Sequence, residues 1–169
     1  PELWNSWKYS LLISLHQKAK KALRRGLSTP EAHEEMIQSI QQDAISTLKK
    51  SGLSEQTIEE IWDDLDDEYF LRHDGSDIAW HTGLIASHDA DRLPLIAARN
   101  LERTGSTEIF IYGHDGENLF TRITHALERM NLNILDARIQ SSRSGKTMDT
   151  LHVHDPSGEP IRGSVTLEA

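Results

Sequence analysis

The spacing of apolar residues changes once along this chain, near residues 88–92, and that change limits the fold more than any other feature. Before it, apolar side chains recur every three or four positions, as on one face of a helix. After it they gather in short runs of strand length. In the opening segment Trp4, Trp7, Leu11, Leu15, Ala19, Ala22 and Leu23 form one stripe, and Gly26 is placed to end that helix in a left-handed turn. Ser28-Thr29-Pro30-Glu31 then reads as a helix start, with a hydroxyl to cap free amides and proline in the first turn. Met36, Ile37, Ile40, Ala44, Ile45 and Leu48 supply the stripe of this second helix, and Gly52 ends it. Ser54 opens a third helix that turns Ile58, Ile61, Trp62 and Leu65 inward. Asp74-Gly75-Ser76-Asp77 combines turn chemistry with an N-cap and leads into a fourth helix through Ile78, Trp80, Leu84 and Ile85.

His88 to Arg92 is the expected linker. Beyond it Leu93-Pro94-Leu95-Ile96-Ala97-Ala98 predicts a strand, with proline favouring its start or a sheet edge. Glu108 to Tyr112 predicts a second strand, and Asn118 to Asn131 an amphipathic helix carrying Ile123, Ala126, Leu127 and Met130. A strand over Asn133 to Gln140, a loop from Ser141 to Lys146 and a strand through Thr150-Leu151-His152-Val153 complete the order β, β, α, β, β. The fold class expected is therefore α+β: a helical segment over residues 1–88, then a small sheet domain over 93–169 whose loop, helix and returning strand resemble a regulatory module.

The composition excludes several functions. With a net charge of -9 and a pI near 5.4, the chain is poorly suited to nucleic acid or an anionic membrane, which need clustered cations. The main basic cluster, Lys18, Lys20, Lys21, Arg24 and Arg25, falls in the last turns of a predicted helix, where cations complement the helix dipole. Cysteine is absent, which removes disulfides, zinc–thiolate sites and a thiol nucleophile. No apolar run approaches the roughly 20 residues that span a bilayer, and no secretory leader opens the sequence, so the expected location is cytoplasmic. The carboxylates Glu55, Glu59, Glu60, Asp63 and Asp64, continuing into Asp66, Asp67 and Glu68, read as a solvated helix face, without the turn glycine and ligand order of a calcium loop.

Four His-Asp dipeptides raise the question of a hydrolytic metal centre: His73-Asp74, His88-Asp89, His114-Asp115 and His154-Asp155. All four fall at predicted element ends, where Asp serves as a cap or turn residue. His73 and His81, eight apart across a turn, are read in the same way. No nucleophile elbow, Walker loop, dinucleotide fingerprint or nucleotidyltransferase signature is present. No catalytic constellation is expected in this segment.

Several motifs in order carry a resemblance: Leu3-Trp4-Asn5 with Trp7-Lys8, Ala22-Leu23-Arg24-Arg25-Gly26-Leu27, Tyr69-Phe70-Leu71-Arg72-His73, Ile78-Ala79-Trp80-His81, and Asn133-Ile134-Leu135-Asp136-Ala137-Arg138-Ile139. Together they resemble the bifunctional uridylyltransferase and uridylyl-removing enzymes of the PII nitrogen-signalling protein. The resemblance implies a parent enzyme that attaches UMP from UTP to PII with a Mg2+-dependent nucleotidyltransferase domain. It also implies an HD domain that removes UMP as a phosphodiesterase, and ACT domains that sense glutamine. On this reading the chain is the helical region leaving the HD domain plus a partial ACT-like domain, of ferredoxin-like βαββαβ type and incomplete at its C-terminus. Neither catalytic site nor any cofactor belongs to it.

The resemblance also implies where glutamine would sit. The amides that open the helix after Asp115 to Leu119 would take its carboxylate, Asp115 its ammonium, and backbone groups of Asn133, Ile134 and Leu135 would complete the cavity. Many ACT domains have glycine where Asn118 stands here, and helix capping is the other role open to Asp115 and Asn118. The partners implied are PII and glutamine, with self-association through the sheet or the helices. The alternative from another class is a free-standing ACT-like amino-acid-binding module.

Overall fold

The computed structural model describes residues 30–114 and 119–162. The first predicted helix, with its basic cluster, lies outside the described residues, as do Asp115 and Asn118. The chain divides into two compact units, Pro1–Ile40 and Gln41–Ala169. Of the first, the described residues are the opening turns of helix α1 (Pro30–Lys50), where proline occupies the first position and Glu31 the first turn.

In the second unit, α1 ends as its sequence predicts. Gly52 adopts φ 87°, the Leu53 amide donates to the Leu48 carbonyl at 3.2 Å, and the Gly52 amide donates to that of Lys49 at 3.1 Å. This pair of bonds is the Schellman arrangement, which satisfies carbonyls a helix end leaves free. Three short helices follow: α2 (Glu55–Trp62), α3 (Asp67–Arg72) and α4 (Gly75–Ser87). Each starts on a polar cap. Ser54 Oγ accepts from the Thr57 amide, Asp66 from the Tyr69 amide, and Asp74 from the amides of Ser76 and Asp77.

The structure corrects the third predicted helix. It stops at Trp62, Leu65 is buried beyond its end, and a separate helix restarts at Asp67 because the Asp66 carboxylate caps it. The acidic run is solvated as expected, exposed throughout except for half-buried Asp64, but two of its members also make structural bonds. Asp66 is a cap, and Asp64 accepts both the amide and the hydroxyl of Ser144 at 2.6 Å.

Past residues 88–94 the strands are β1 (Leu95–Leu101), β2 (Ser106–His114), β3 (Asn133–Arg138) and β4 (Lys146–His154), with helix α5 (Leu119–Arg129) between β2 and β3. They form one antiparallel sheet of order β1-β2-β4-β3. β2, α5 and β3 are a split β-α-β unit with β4 inserted between its parallel strands, the kernel of the ferredoxin-like fold. The expected α+β class and partial ACT-like domain are present in this arrangement. β1, which precedes the unit in sequence, occupies the edge beside β2.

Both faces of β2 are covered, and all of its residues but Tyr112 and His114 are buried. On one face Ile109 and Ile111 pack with Leu151 and Val153 of β4 and with Ile123 and Leu127 of α5, flanked by Ile96, Leu119 and Leu132. Buried side chains of this size each contribute about 1.5–3 kcal/mol. α5 closes on Asn131 at φ 53°, with the Leu132 amide donating to the Leu127 carbonyl at 3.0 Å, which turns Leu132 back onto this core. The opposite face carries Glu108 and Phe110 of β2 and Arg99 of β1, and α3 and α4 lie against it. The His81 ring stacks on Phe110 with centroids 4.1 Å apart. Trp62 fixes α2 to α4 by donating Nε1–H to Thr82 Oγ1 at 2.9 Å.

Candidate functional site

The polar groups between the helices and the sheet form a connected chain. Arg99 and Glu108 face each other across β1 and β2, and Arg99 Nε donates to Glu108 Oε2 at 2.5 Å. The same guanidinium donates through an Nη to Asp77 Oδ1 of α4 at 2.5 Å, and lies 4.3 Å above the Trp80 ring. The other carboxylate oxygen of Glu108 meets His81 Nε2 at 3.3 Å, and His81 Nδ1 meets the Tyr69 hydroxyl of α3 at 2.8 Å. Glu108 and His81 are fully buried.

The chemistry of the acceptors orients the hydrogens. An ionised carboxylate only accepts, so His81 donates from Nε2, and its bare Nδ1 accepts from Tyr69. Burial opposes charge on Glu108. The hydrogen bond from His81 and the Arg99 guanidinium outweigh it, holding the carboxyl at about 2. Burial also lowers His81 in spite of Glu108, so the imidazole is neutral near pH 7 and the fixed cation beside Glu108 is Arg99. Burial and the charges of Glu108 and Asp74 push Asp77 up against the pull of Arg99. His73 donates Nδ1–H to the Tyr69 carbonyl at 2.9 Å, and burial followed by the nearby His81 lowers it to about 3. Its Nε2 is buried and has no hydrogen-bond partner among the described residues. A group of three side chains suited to holding a metal ion is absent among the described residues.

The sequence pointed to His73 and His81 only as members of dipeptide, turn or resemblance motifs, to Glu108 only as the start of a strand, and to Arg99 not at all. The signal available was a carboxylate opening an otherwise apolar strand run, Glu108-Ile109-Phe110-Ile111-Tyr112, where a buried charge requires a partner. The three His-Asp pairs that are fully described do sit at element boundaries. Asp74 caps α4, Asp89 accepts from the Asp91 amide, and Asp155 accepts from the amides of Ser157 and Glu159.

The described ligand candidates, Leu119 and Asn133 to Leu135, are set apart. Leu119 opens α5, half-buried against the core, after the strand that ends at His114 opposite Lys146. Asn133, Ile134 and Leu135 begin the edge strand β3 at the other end of the sheet, where Asn133 pairs with His154. Within one chain, then, Leu119 and residues 133–135 are not brought together. Ile134 and Leu135 are exposed, and the register shifts between Ile134 and Asp136, which places Leu135 in a β-bulge. Two clefts flank these ends. One of about 480 Å³ is lined by Glu128, Asn131, Leu132, Asn133 and Pro156. Another of about 270 Å³ lies at the end of β2, between Ile85, His88, Leu93, Tyr112, His114 and Lys146.

A family model described as the fifth domain of uridylyltransferase GlnD matches residues 32–84, the segment from α1 to α4. The chain is 43% identical over 164 residues to the bifunctional uridylyltransferase/uridylyl-removing enzyme of Pseudomonas fluorescens (strain Pf-5). It is 44% identical to the protein of that name from Ectopseudomonas mendocina and 43% to that from Stutzerimonas stutzeri. Each match covers 95% of this chain and 18% of the relative, so the chain spans less than a fifth of the length of the curated relatives it matches. No solved structure matches it. Among the described residues no helix is long and apolar enough to cross a membrane. Helical layer and sheet both fall within these matches, and the chain belongs to the family of the bifunctional uridylyltransferase/uridylyl-removing enzymes.

Proposed function

We propose that this chain is a regulatory, non-catalytic segment of a cytoplasmic enzyme that transfers UMP from UTP to the PII protein and removes it again, and that glutamine acts through its sheet domain. The observation that carries this reading is the split β-α-β unit of ACT type, joined in one compact unit to helices that match the fifth-domain model. Catalysis, with its Mg2+, belongs to parts of the parent outside this segment. The polar groups best able to do chemistry here, Glu108 and His81, are sealed from solvent and cannot meet a substrate.

The ligand residues proposed for glutamine are Asp115, Asn118, Leu119, Asn133, Ile134 and Leu135. Because Leu119 and residues 133–135 mark opposite ends of the sheet, the cavity needs a second ACT-like unit. Antiparallel pairing across the open β3 edge would set residues 133–135 of one unit beside the far end of the other. Exposed Ile134 and Leu135 on β3 and Ile139 just past it, with Phe120 on α5 and Met130 just beyond its end, provide the apolar surface for self-association.

The test is calorimetric titration of L-glutamine into the full-length enzyme, together with the glutamine dependence of uridylyl transfer and removal, in wild type and Asp115→Ala. Blunted glutamine response with basal transfer intact supports the assignment. Equal loss of response and basal activity overturns it in favour of a folding role for Asp115.

A further inference from the structure

We propose that the chain Tyr69–His81–Glu108–Arg99–Asp77 is the transmission element of this regulatory segment, the set of positioning residues through which the state of the sheet reaches helices α3 and α4. The proposal rests on the regulatory reading above.

Its first support is the position of β2. The strand runs at its C-terminal end into the loop proposed to hold glutamine, its Ile109 and Ile111 face packs on α5, and its Glu108 and Phe110 face holds the helical layer. A shift of β2 on ligand binding is therefore passed to the helical layer through Glu108 and Phe110. Both are tied to His81, one by a hydrogen bond and one by ring stacking.

The second support is the kind of interaction used. An apolar layer would stabilise this interface at least as well, because taking charges out of water offsets most of their attraction. Polar links differ in being directional. Asp77 and Glu108, on a helix and a strand, share the one Arg99 fork, and Glu108 and Tyr69 hold the two nitrogens of one imidazole. Sliding α4 along the sheet breaks these bonds together rather than gradually, so the contact favours discrete positions. A spare buried acceptor also lies beside this chain. His73 Nε2 is buried and unpaired among the described residues, and the His73 ring stands edge-on to that of His81 at 5.2 Å.

The experiment uses the full-length enzyme with Tyr69→Phe, which deletes one hydroxyl, and Glu108→Gln, which keeps shape and removes charge. Glutamine Kd, thermal midpoint, and the glutamine dependence of the two opposing activities are measured for each. The expected result is Kd within about threefold of wild type and both basal activities retained, with the amplitude of the glutamine response reduced at least fivefold. Variants that respond like wild type overturn the proposal and leave the regulatory reading standing. Variants whose response falls only in step with Kd or with thermal midpoint also overturn it, by making the chain merely structural. A wild-type enzyme that binds no glutamine overturns the regulatory reading itself, and this proposal with it.

Discussion

Arg99 and Glu108 are cross-strand partners whose side chains meet on the sheet face that α4 covers, with Nε 2.5 Å from Oε2. The same guanidinium reaches Asp77 on that helix, so one cation neutralises two carboxylates and joins strand to helix. From this arrangement and its neighbours four outcomes are expected.

Arg99→Met retains the stem that covers Trp80 but leaves Asp77 and Glu108 near each other without a cation. Breaking a buried pair in this way costs about 3–5 kcal/mol. Urea unfolding should show a loss of that order, whereas Arg103→Met, at a pair with Asp74 exposed to solvent, should change stability by well under 1 kcal/mol.

Stability should fall on acidification. His73, lowered by burial to about 3, binds its proton in the unfolded chain from about pH 6.5 downward but not in the folded one, so its contribution is complete above 6.5 and lost as pH drops toward 3. His81 and His152, lowered chiefly by burial, act in the same direction. Glu108, held at about 2, adds a further loss below 4.5. Asp77, raised by burial and by Glu108, opposes these by gaining a proton more readily when folded. From His73 alone the drop between pH 7 and pH 5 is about 2 kcal/mol. Thermal melts across that range should show it, and His73→Phe should flatten the slope by that amount.

The loop between β3 and β4 is clasped to the end of α2. Arg143 donates its amide to the Asp64 carbonyl at 2.8 Å and Nη1–H to that of Asp63 at 2.9 Å, while Asp64 holds Ser144 by amide and hydroxyl. Burial works against the Asp64 carboxylate, but the Ser144 and Ser142 hydrogen bonds outweigh it and lower its pKa. Asp64→Ala should cost about 1–2 kcal/mol. Amide exchange should rise over residues 141–146 and stay unchanged across β1 and β2.

Gly113 is required by proximity rather than by its φ angle. A Cβ there would stand 3.0 Å from Pro94 Cβ and 3.1 Å from its Cα, and a proline ring cannot swing aside. Gly113→Ala should therefore destabilise by about 1–3 kcal/mol, read by chemical denaturation. Gly83→Ala, where nothing lies within 4 Å, should be neutral or slightly stabilising.

Much of the architecture is legible in the sequence because its causes are local. Ser54 and Asp74 announce their helices by the amides they cap, and Gly52 ends α1 because it tolerates a left-handed backbone. The amphipathic spacing of Ile123 and Leu127 places α5 on the Ile109 and Ile111 face. Helix α3 was not legible. Its six residues are too few for a periodic stripe, and it exists because Asp66 caps it and Tyr69 and Phe70 are buried. Of the candidate ligand residues, Asp115 and Asn118 lie outside those described. The separation of Leu119 from Asn133 follows from strand order, which no spacing along the chain encodes.

Among the described residues the sequence by itself determined every helix and strand but α3, where most of them begin and end, and the family to which the chain belongs. Those properties rest on periods of two to four residues and on motifs of a few residues each. Only the tertiary structure decided that β1 takes the edge beside β2, and that the Glu108 face of the sheet is closed by α3 and α4. The physical reason is that these contacts join groups far apart in sequence. Asp77 meets Arg99, and His81 meets Glu108, through charge and hydrogen-bond complementarity that appears only once the sheet has set Arg99 opposite Glu108.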